Sequence, residues 1–321
     1  MRIRLRPPES GDAEAIYRAM QDPGTIGWLP NLPMPYLRAD AEGFLQAAAG
    51  GPDRVIEADG AFAGMIRTGP DLGYWLAREC RGRGIMLRAA QVALVTYFAG
   101  AGETVTASHL VDNLASRRVL RRLGFRDIGP EPIPGRGGGE GLPGRAMELN
   151  ANDFSAALAI RTQRCCIDRL TDADLPEMHR IFTAPDTARM LLRFQVGMPF
   201  GDLAAMIRPI MDPLRRRMRM AIRREGRLIG SIGVHDGDAP SIYYALAPEV
   251  AGQGLGSEIV PVFCDTVQDW FGLETLKAEV FQDNPASRRI LEKAGFVVTG
   301  EDSVNSLGRD GPAPGWLMQR G

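Results

Sequence analysis

Two stretches of this sequence repeat one another in register. Leu72-Gly73-Tyr74-Trp75-Leu76-Ala77 leads into Arg81-Gly82-Arg83-Gly84-Ile85-Met86, and Ile242-Tyr243-Tyr244-Ala245-Leu246-Ala247 leads into Ala251-Gly252-Gln253-Gly254-Leu255-Gly256. Further along, Asn113, Ser116 and Phe125 recur as Asn284, Ser287 and Phe296. Gly84 and Gly254 lie 170 positions apart and the later pairs 171, a register that chance matches do not hold. The chain is an internal duplication, and two domains of one plan are expected. Its 321 residues are long for one core and comfortable for two of about 150.

Each repeat runs an apolar strand into a glycine-rich turn that opens directly into a segment with helical spacing. Such a turn presents unpaired backbone N–H groups at the positive end of a helix, which is an anion site, most often for phosphate. A glycine turn alone is more often plain loop geometry. The downstream segment adds weight: Ala278 to Phe281 reads as a strand, Gln282 to Pro285 as a polar turn, Ala286 to Ala294 as an amphipathic helix and Gly295 as its C-cap. Together the two segments resemble the acyl-CoA-binding core of the GNAT N-acetyltransferase superfamily, and most of all its ribosomal-protein and amino-acid N-acetyltransferase branch.

The resemblance covers nearly the whole chain and implies an α/β (α+β) fold of two tandem GNAT domains. Each would be a mixed, mostly antiparallel twisted sheet, splayed at the glycine-loop strand and flanked by helices. Residues 1–150 and 165–321 are the expected domains, with 151–164 a linker between them.

Bulk properties restrict the partners. A net charge of −1 gives no global pull toward nucleic acid or a membrane surface. Cys80, Cys165, Cys166 and Cys264 share no zinc-ligand spacing with a histidine, so no metal is expected and the thiols are expected to be reduced. Met1 to Pro7 lacks the apolar core of a signal peptide, and no run approaches the ~18 apolar residues of a membrane span. The expected location is the cytoplasm.

Local signals place the remaining elements. Residues 1 to 6 alternate as a half-buried strand does, and Asp59-Gly60 and Glu225-Gly226 each join two strands in a hairpin. Pro30, Pro33 and Pro35 exclude regular helix from Trp28 to Tyr36. Thr171 to Asp174 is a capping-box start. Arg217 to Arg223 alternates with the period of a strand, so Arg215-Arg216-Arg217 reads as the solvated face of a strand entry rather than a nucleic-acid patch. Gly135 to Gly144, rich in glycine, reads as a mobile loop between two closing strands.

Acetyl transfer from coenzyme A needs a pyrophosphate cradle, a slot for the pantetheine arm, a base for the incoming amine and an acid for the departing thiolate. The family's cradle has the form Gln/Arg-x-x-Gly-x-Gly/Ala. The first half has Arg81 and Gly84 but ends in Met86; the second has Gly254 and Gly256 but begins with Ala251. Met86 is expected to crowd a phosphate, whereas Ala251 loses one side-chain contact and keeps the backbone donors. The second half is therefore the expected acetyl-CoA binder, through Leu246, Ala247, Ala251, Gly252, Gln253, Gly254, Leu255, Gly256, Ser257, Asn284 and Ser287.

For the thiolate acid the resemblance implies Ser287, with Ser116 its counterpart, because Leu291 and Leu120 stand where many family members have a tyrosine. Simple helix capping is the other reading of Asn284/Ser287 and Asn113/Ser116. For the base, the branch commonly has an acid three residues before the strand tyrosine. Asp71 fills that place in the first half, but Ser241 stands there in the second, leaving His235 and Asp236 as the nearest titratable groups. The expected protein is an acetyl-CoA-dependent N-acetyltransferase acting on a primary amine of a small molecule or a peptide N-terminus. It is expected to be a monomer whose first half serves chiefly as a structural partner. Asp71 argues against that role. A non-catalytic acyl-CoA-binding or regulatory scaffold is the alternative.

Overall fold

The computed structural model describes residues 1–100, 102–135, 141–238 and 240–321. Residues 136–140, the centre of the glycine-rich stretch expected to be a mobile loop, lie outside them. The chain divides into two compact units, Met1–Ala157 and Leu158–Gly321.

The first unit contains β1 (Ile3–Arg6), α1 (Ala13–Met20), α2 (Pro23–Ile26), α3 (Arg38–Ala48), β2 (Asp53–Ala58), β3 (Ala61–Thr68), β4 (Leu72–Leu76), α4 (Ile85–Ala99), β5 (Thr104–Leu110), α5 (Leu114–Leu123), β6 (Arg126–Pro130), β7 (Gly144–Asn150) and α6 (Ala151–Ala157). Its strands form an antiparallel sheet in the order β1-β2-β3-β4 and a second in the order β5-β7-β6. The second unit contains β8 (Ala159–Arg161), β9 (Cys166–Arg169), α7 (Leu175–Phe182), α8 (Pro185–Ala188), α9 (Phe200–Ile207), β10 (Met218–Arg224), β11 (Arg227–Val234), β12 (Ile242–Leu246), α10 (Leu255–Phe271), β13 (Leu276–Phe281), α11 (Pro285–Lys293), β14 (Val297–Val304) and β15 (Ala313–Arg320). Its sheets run β12-β11-β10-β9-β8 and β13-β15-β14.

In each unit the two sheets meet at one parallel bridge, Asp71 to Thr106 in the first and Ser241 to Lys277 in the second. Beyond the bridge, β4 parts from β5 and β12 from β13. The splay therefore opens toward the glycine loop at the end of β4 or β12, as the resemblance implies. The division between the units falls within the stretch expected to be a linker, which carries a helix and a short strand. Ala151–Ala157 is a helix, started by Asn150, whose side-chain oxygen accepts the Asp153 N–H at 2.9 Å, and anchored by the fully buried Phe154. Ala159–Arg161 pairs with β9.

The hairpins adopt the geometry their sequences call for, with positive φ at both central residues: 51° and 79° at Asp59-Gly60, 51° and 77° at Glu225-Gly226. The capping box at Thr171 forms too, its backbone N–H and hydroxyl both donating to Asp174 at 2.9 Å. Arg223 then grips the same carboxylate with a two-pronged fork at 2.7 and 2.9 Å, tying the helix start to the central strand. Arg6 and Asp12 repeat this device in the first unit, at 2.8 and 2.7 Å. Strand β10 departs from the alternation in its sequence. Its first five residues are all buried, Arg219 among them, because apolar side chains cover both of its faces. Among the described residues no helix is long and apolar enough to cross a membrane.

Candidate active site

The site of the second unit begins where β12 ends. The Ala247 N–H donates to the Ile229 carbonyl at 2.8 Å. Antiparallel alternation then turns the Leu246 N–H to the other edge, toward the gap between β12 and β13. Gly252 and Gly254 hold φ of +74° and +75°, a region that side-chain-bearing residues enter only at a cost. Gly254 is the N-cap of α10, and the first intrahelical bond runs from the Glu258 N–H to its carbonyl at 3.3 Å. The N–H groups of Leu255, Gly256 and Ser257 are thus left at the positive end of the helix. The first unit has the same backbone, with Gly82 and Gly84 at +73° and +76°.

Two expectations about the glycine loop change. A Cβ on Gly256 would lie 2.6 Å from Ile290 Cδ1, so this glycine lets α10 approach α11 rather than opening the loop. Met86, at the matching place, is buried at 6% exposure and does not stand over the first loop. Backbone shape does not distinguish the halves.

Charge does. The Arg164 Nη1 donates to the Gln253 carbonyl at 2.9 Å, while its Nε and backbone N–H hold Glu258 at 2.7 and 2.8 Å. Burial pushes the Glu258 carboxyl up, but the Thr162 hydroxyl and Arg164 outweigh it and hold it below the usual range. Arg224 donates to the Gln253 side-chain oxygen at 2.6 Å and has no carboxylate within ion-pair reach among the described residues. The matching hairpin position in the first unit is Ala58, across from Ala61 as Arg224 is from Arg227. There the family-matching Arg81 is drawn away, to Asp22 at 3.0 Å and to the Thr25 hydroxyl. Sequence reading missed Arg164 and Arg224, which are remote from the loop along the chain, and Glu225 beside Arg224 gave no sign that its guanidinium reaches Gln253 instead.

At the head of α11 the two roles open to Asn284 and Ser287 separate. The Asn284 side-chain oxygen accepts the Ser287 N–H at 3.0 Å and caps the helix, as Asn113 does for Ser116 at 3.0 Å. The serine hydroxyls are engaged elsewhere: Ser287 Oγ lies 2.8 Å from the Tyr244 hydroxyl, and Ser116 Oγ lies 3.0 Å from that of Tyr74. Burial pushes Tyr74 up to about 12 and Tyr244 further, the serine bond opposing it, so both phenols keep their protons at neutral pH. These tyrosines served only as landmarks in the sequence; their exact recurrence was the sign that they have a partner. Tyr244, Leu246, Gly256, Ile222, Ile259 and Val260 line a narrow apolar slot.

The expected bases are scattered. Asp71 is exposed at the parallel bridge of the first unit, where Ser241 stands in the second. His235 follows β11 with its ring 4.5 Å from that of Tyr243. Burial first, then Arg219, Arg193 and Arg217, lower its pKa below 6.5 against Asp236, so it is unprotonated near neutrality. Asp236 itself is exposed. Ser257 is half-buried on the first turn of α10, and Ala251 and Gly252 are exposed.

The family model described as acetyltransferase (GNAT) domain matches residues 2–126 and again 164–297. Among solved structures, a GNAT-family acetyltransferase from Bacillus anthracis is similar at 16% identity, covering 50% of this chain and 97% of that one with a TM-score of 0.43. Spermidine N-acetyltransferase from Vibrio cholerae, in complex with CoA and spermine, is similar at 16% identity over 49% and 94%, TM-score 0.44. An acetyltransferase from Salmonella typhimurium that modifies the N-terminal serine of ribosomal protein L7/L12 is similar at 20% identity over 47% and 95%, TM-score 0.40. No curated protein sequence matches.

Proposed function

The chain belongs to the acetyltransferase (GNAT) domain family, and from that premise we propose that it is an acetyl-CoA-dependent N-acetyltransferase whose second half carries the reaction. The acceptor is a primary amine of a small molecule or of a peptide N-terminus. The observation that carries the choice of half is the pair of arginines, Arg164 and Arg224, bonded to Gln253 in the glycine loop.

The residues present suit the co-substrate. The N–H groups of Leu255, Gly256 and Ser257, with Ala251, Gly252, Gln253 and Gly254 shaping the turn, would hold the pyrophosphate at the head of α10. Arg224 would add a cation free of any acid. The pantetheine arm would lie in the splay between Leu246-Ala247 and Asn284-Ser287, where the Leu246 N–H would polarise the thioester carbonyl. His235, unprotonated at neutral pH, would take the ammonium proton directly or through water. The amine nitrogen would then bond to the acetyl carbon and, as the carbon–sulfur bond breaks, shed its second proton through water to Tyr244, while Ser287 would protonate the thiolate and be resupplied by the Tyr244 hydroxyl.

Thiol release from acetyl-CoA over a panel of primary amines tests the reaction, and calorimetry gives the stoichiometry. Amine-dependent thiol release with one acetyl-CoA per chain is expected. Binding without release under any amine would overturn catalysis in favour of the scaffold reading, and a stoichiometry of two would overturn the assignment to one half.

A further inference from the structure

Arg219, on β10, is a buried cation with no counter-charge. It is 8% exposed, and no carboxylate lies within ion-pair distance of it among the described residues. Its Nη1 donates to Ser231 Oγ at 2.6 Å, while its Nε is buried with no hydrogen-bond partner. The rings of Tyr243, Phe182 and Phe194 surround the guanidinium, 4.3, 5.2 and 5.8 Å from its central carbon. Such faces recover part of the cost of desolvating a charge, but an orphan N–H at an ionised group remains a penalty.

The first half shows what a satisfied version looks like. Asp53 and Arg67 are cross-strand partners in β2 and β3, and they form an ion pair at 3.0 Å. The same register in the second half, fixed by the matching hairpin turns, pairs Arg219 with Gly233. One partner has changed sign and the other has lost its side chain. The Tyr243 ring lies over the bare strand instead: a Cβ on Gly233 would meet its Cζ and hydroxyl at 2.6 Å. Phe194 comes from the segment between α8 and α9, and the Tyr243 ring also lies 4.5 Å from that of His235, the base proposed above. Arg193 and Arg217 are exposed, and Asp236 is the single opposing charge acting on His235 alongside these three arginines.

We propose that Arg219 is the specificity residue of the acceptor side, and that it pairs through its Nε edge with a carboxylate carried by the amine substrate. The proposal rests on the acetyl-transfer reading above and adds the substrate's class, an amino acid or similar amino-carboxylate. A planar two-oxygen group matches one edge of a guanidinium whose other corner is held by Ser231. Arg219 touches substrate in this account but takes no proton.

Arginine-labelled full-length protein, followed at the Arg219 Nε–H resonance, is titrated with succinate, with neutral succinamide and with inorganic phosphate. Succinate should shift the resonance and raise the melting temperature, succinamide should do neither, and phosphate should bind more weakly than succinate. Arg219→Met should weaken succinate binding roughly ten- to hundredfold. The same variant should melt higher than wild type, since an apolar chain replaces an unpaired buried cation. If Arg219→Met fails to fold, the wild-type resonance decides alone. Succinate binding that survives Arg219→Met would place it on Arg193 and Arg217 and overturn the proposal, as would an unmoved resonance or a preference for phosphate. With glycine and glycinamide as acceptors, wild type should favour glycine through KM, and Arg219→Met should lose that preference. Succinate binding without turnover of any amine would overturn the acetyl-transfer reading while leaving the carboxylate site standing.

Discussion

The hydroxyls of Tyr244 and Ser287 stand 2.8 Å apart at the head of α11, with the helix capped not by the serine but by Asn284. A serine released from capping, and paired to a phenol that burial keeps protonated, is equipped to hand a proton to a thiolate. If it does so, Ser287→Ala should lower kcat about tenfold or more while changing acetyl-CoA affinity little. Tyr244→Phe should lower kcat by less. Asn284→Ala should instead cost about 1 kcal/mol of stability. Steady-state kinetics with thermal melts separates the three, and a Ser287→Ala variant that loses only stability contradicts the proton-transfer role.

Gly254 and Gly84 hold the same left-handed conformation at the head of matching helices. Gly254→Ala and Gly84→Ala should each cost roughly 1–2 kcal/mol of stability. Only the first should weaken acetyl-CoA binding, as read by calorimetry. Gly256→Val should act differently, by forcing α10 off Ile290, and Ile290→Ala in the same chain should restore part of its stability.

Asp174 lends the second unit a pH dependence of known sign. Burial pushes its carboxyl up, but Arg223 together with the Thr171 N–H and hydroxyl holds it below the usual carboxylate range. A carboxylate depressed on folding adds stability above its unfolded pKa, and that stability is lost as pH falls through the folded value. Melting temperature should therefore drop below about pH 4, and Asp174→Asn should be less stable at neutrality with a shallower acid loss. Asp168, the other partner of Arg223, is pushed up by burial and acts in the opposite sense, so it is not the variant to use.

His235 gives the reaction its acid limb. With its pKa lowered in the fold, turnover should hold down through pH 6.5 and fall only below it, as the imidazole protonates. Removing a repelling cation raises that pKa, so Arg219→Met should move the limb upward; His235→Gln should remove the limb along with most of the rate. A limb that stays in place in His235→Gln assigns the base elsewhere.

What could be read from the sequence was local or repeated. The duplication, both hairpins, the Thr171 cap and the two glycine loops each follow from neighbours in the chain and are as expected. What could not be read depends on segments converging. Arg164 and Arg224 reach Gln253 across 89 and 29 residues, and Tyr244 reaches Ser287 across 43. Arg219 sits in a strand whose alternation predicts a solvated face, and it is buried because aromatic rings from α7, from the segment before α9 and from β12 close over it. Met86 and Gly256 misled for the same reason: which way a helix turns its first residues is set by the helix it packs on.

The most direct test is amine-dependent thiol release from acetyl-CoA by the wild-type chain beside Ser287→Ala and Ser116→Ala. These change the same hydroxyl in the two halves, and each removes the same contact to a buried tyrosine. The account predicts release by wild type and by Ser116→Ala at closely similar rates, and a fall of about tenfold or more in Ser287→Ala. Release that survives Ser287→Ala but fails in Ser116→Ala would contradict it and place the chemistry in the first half.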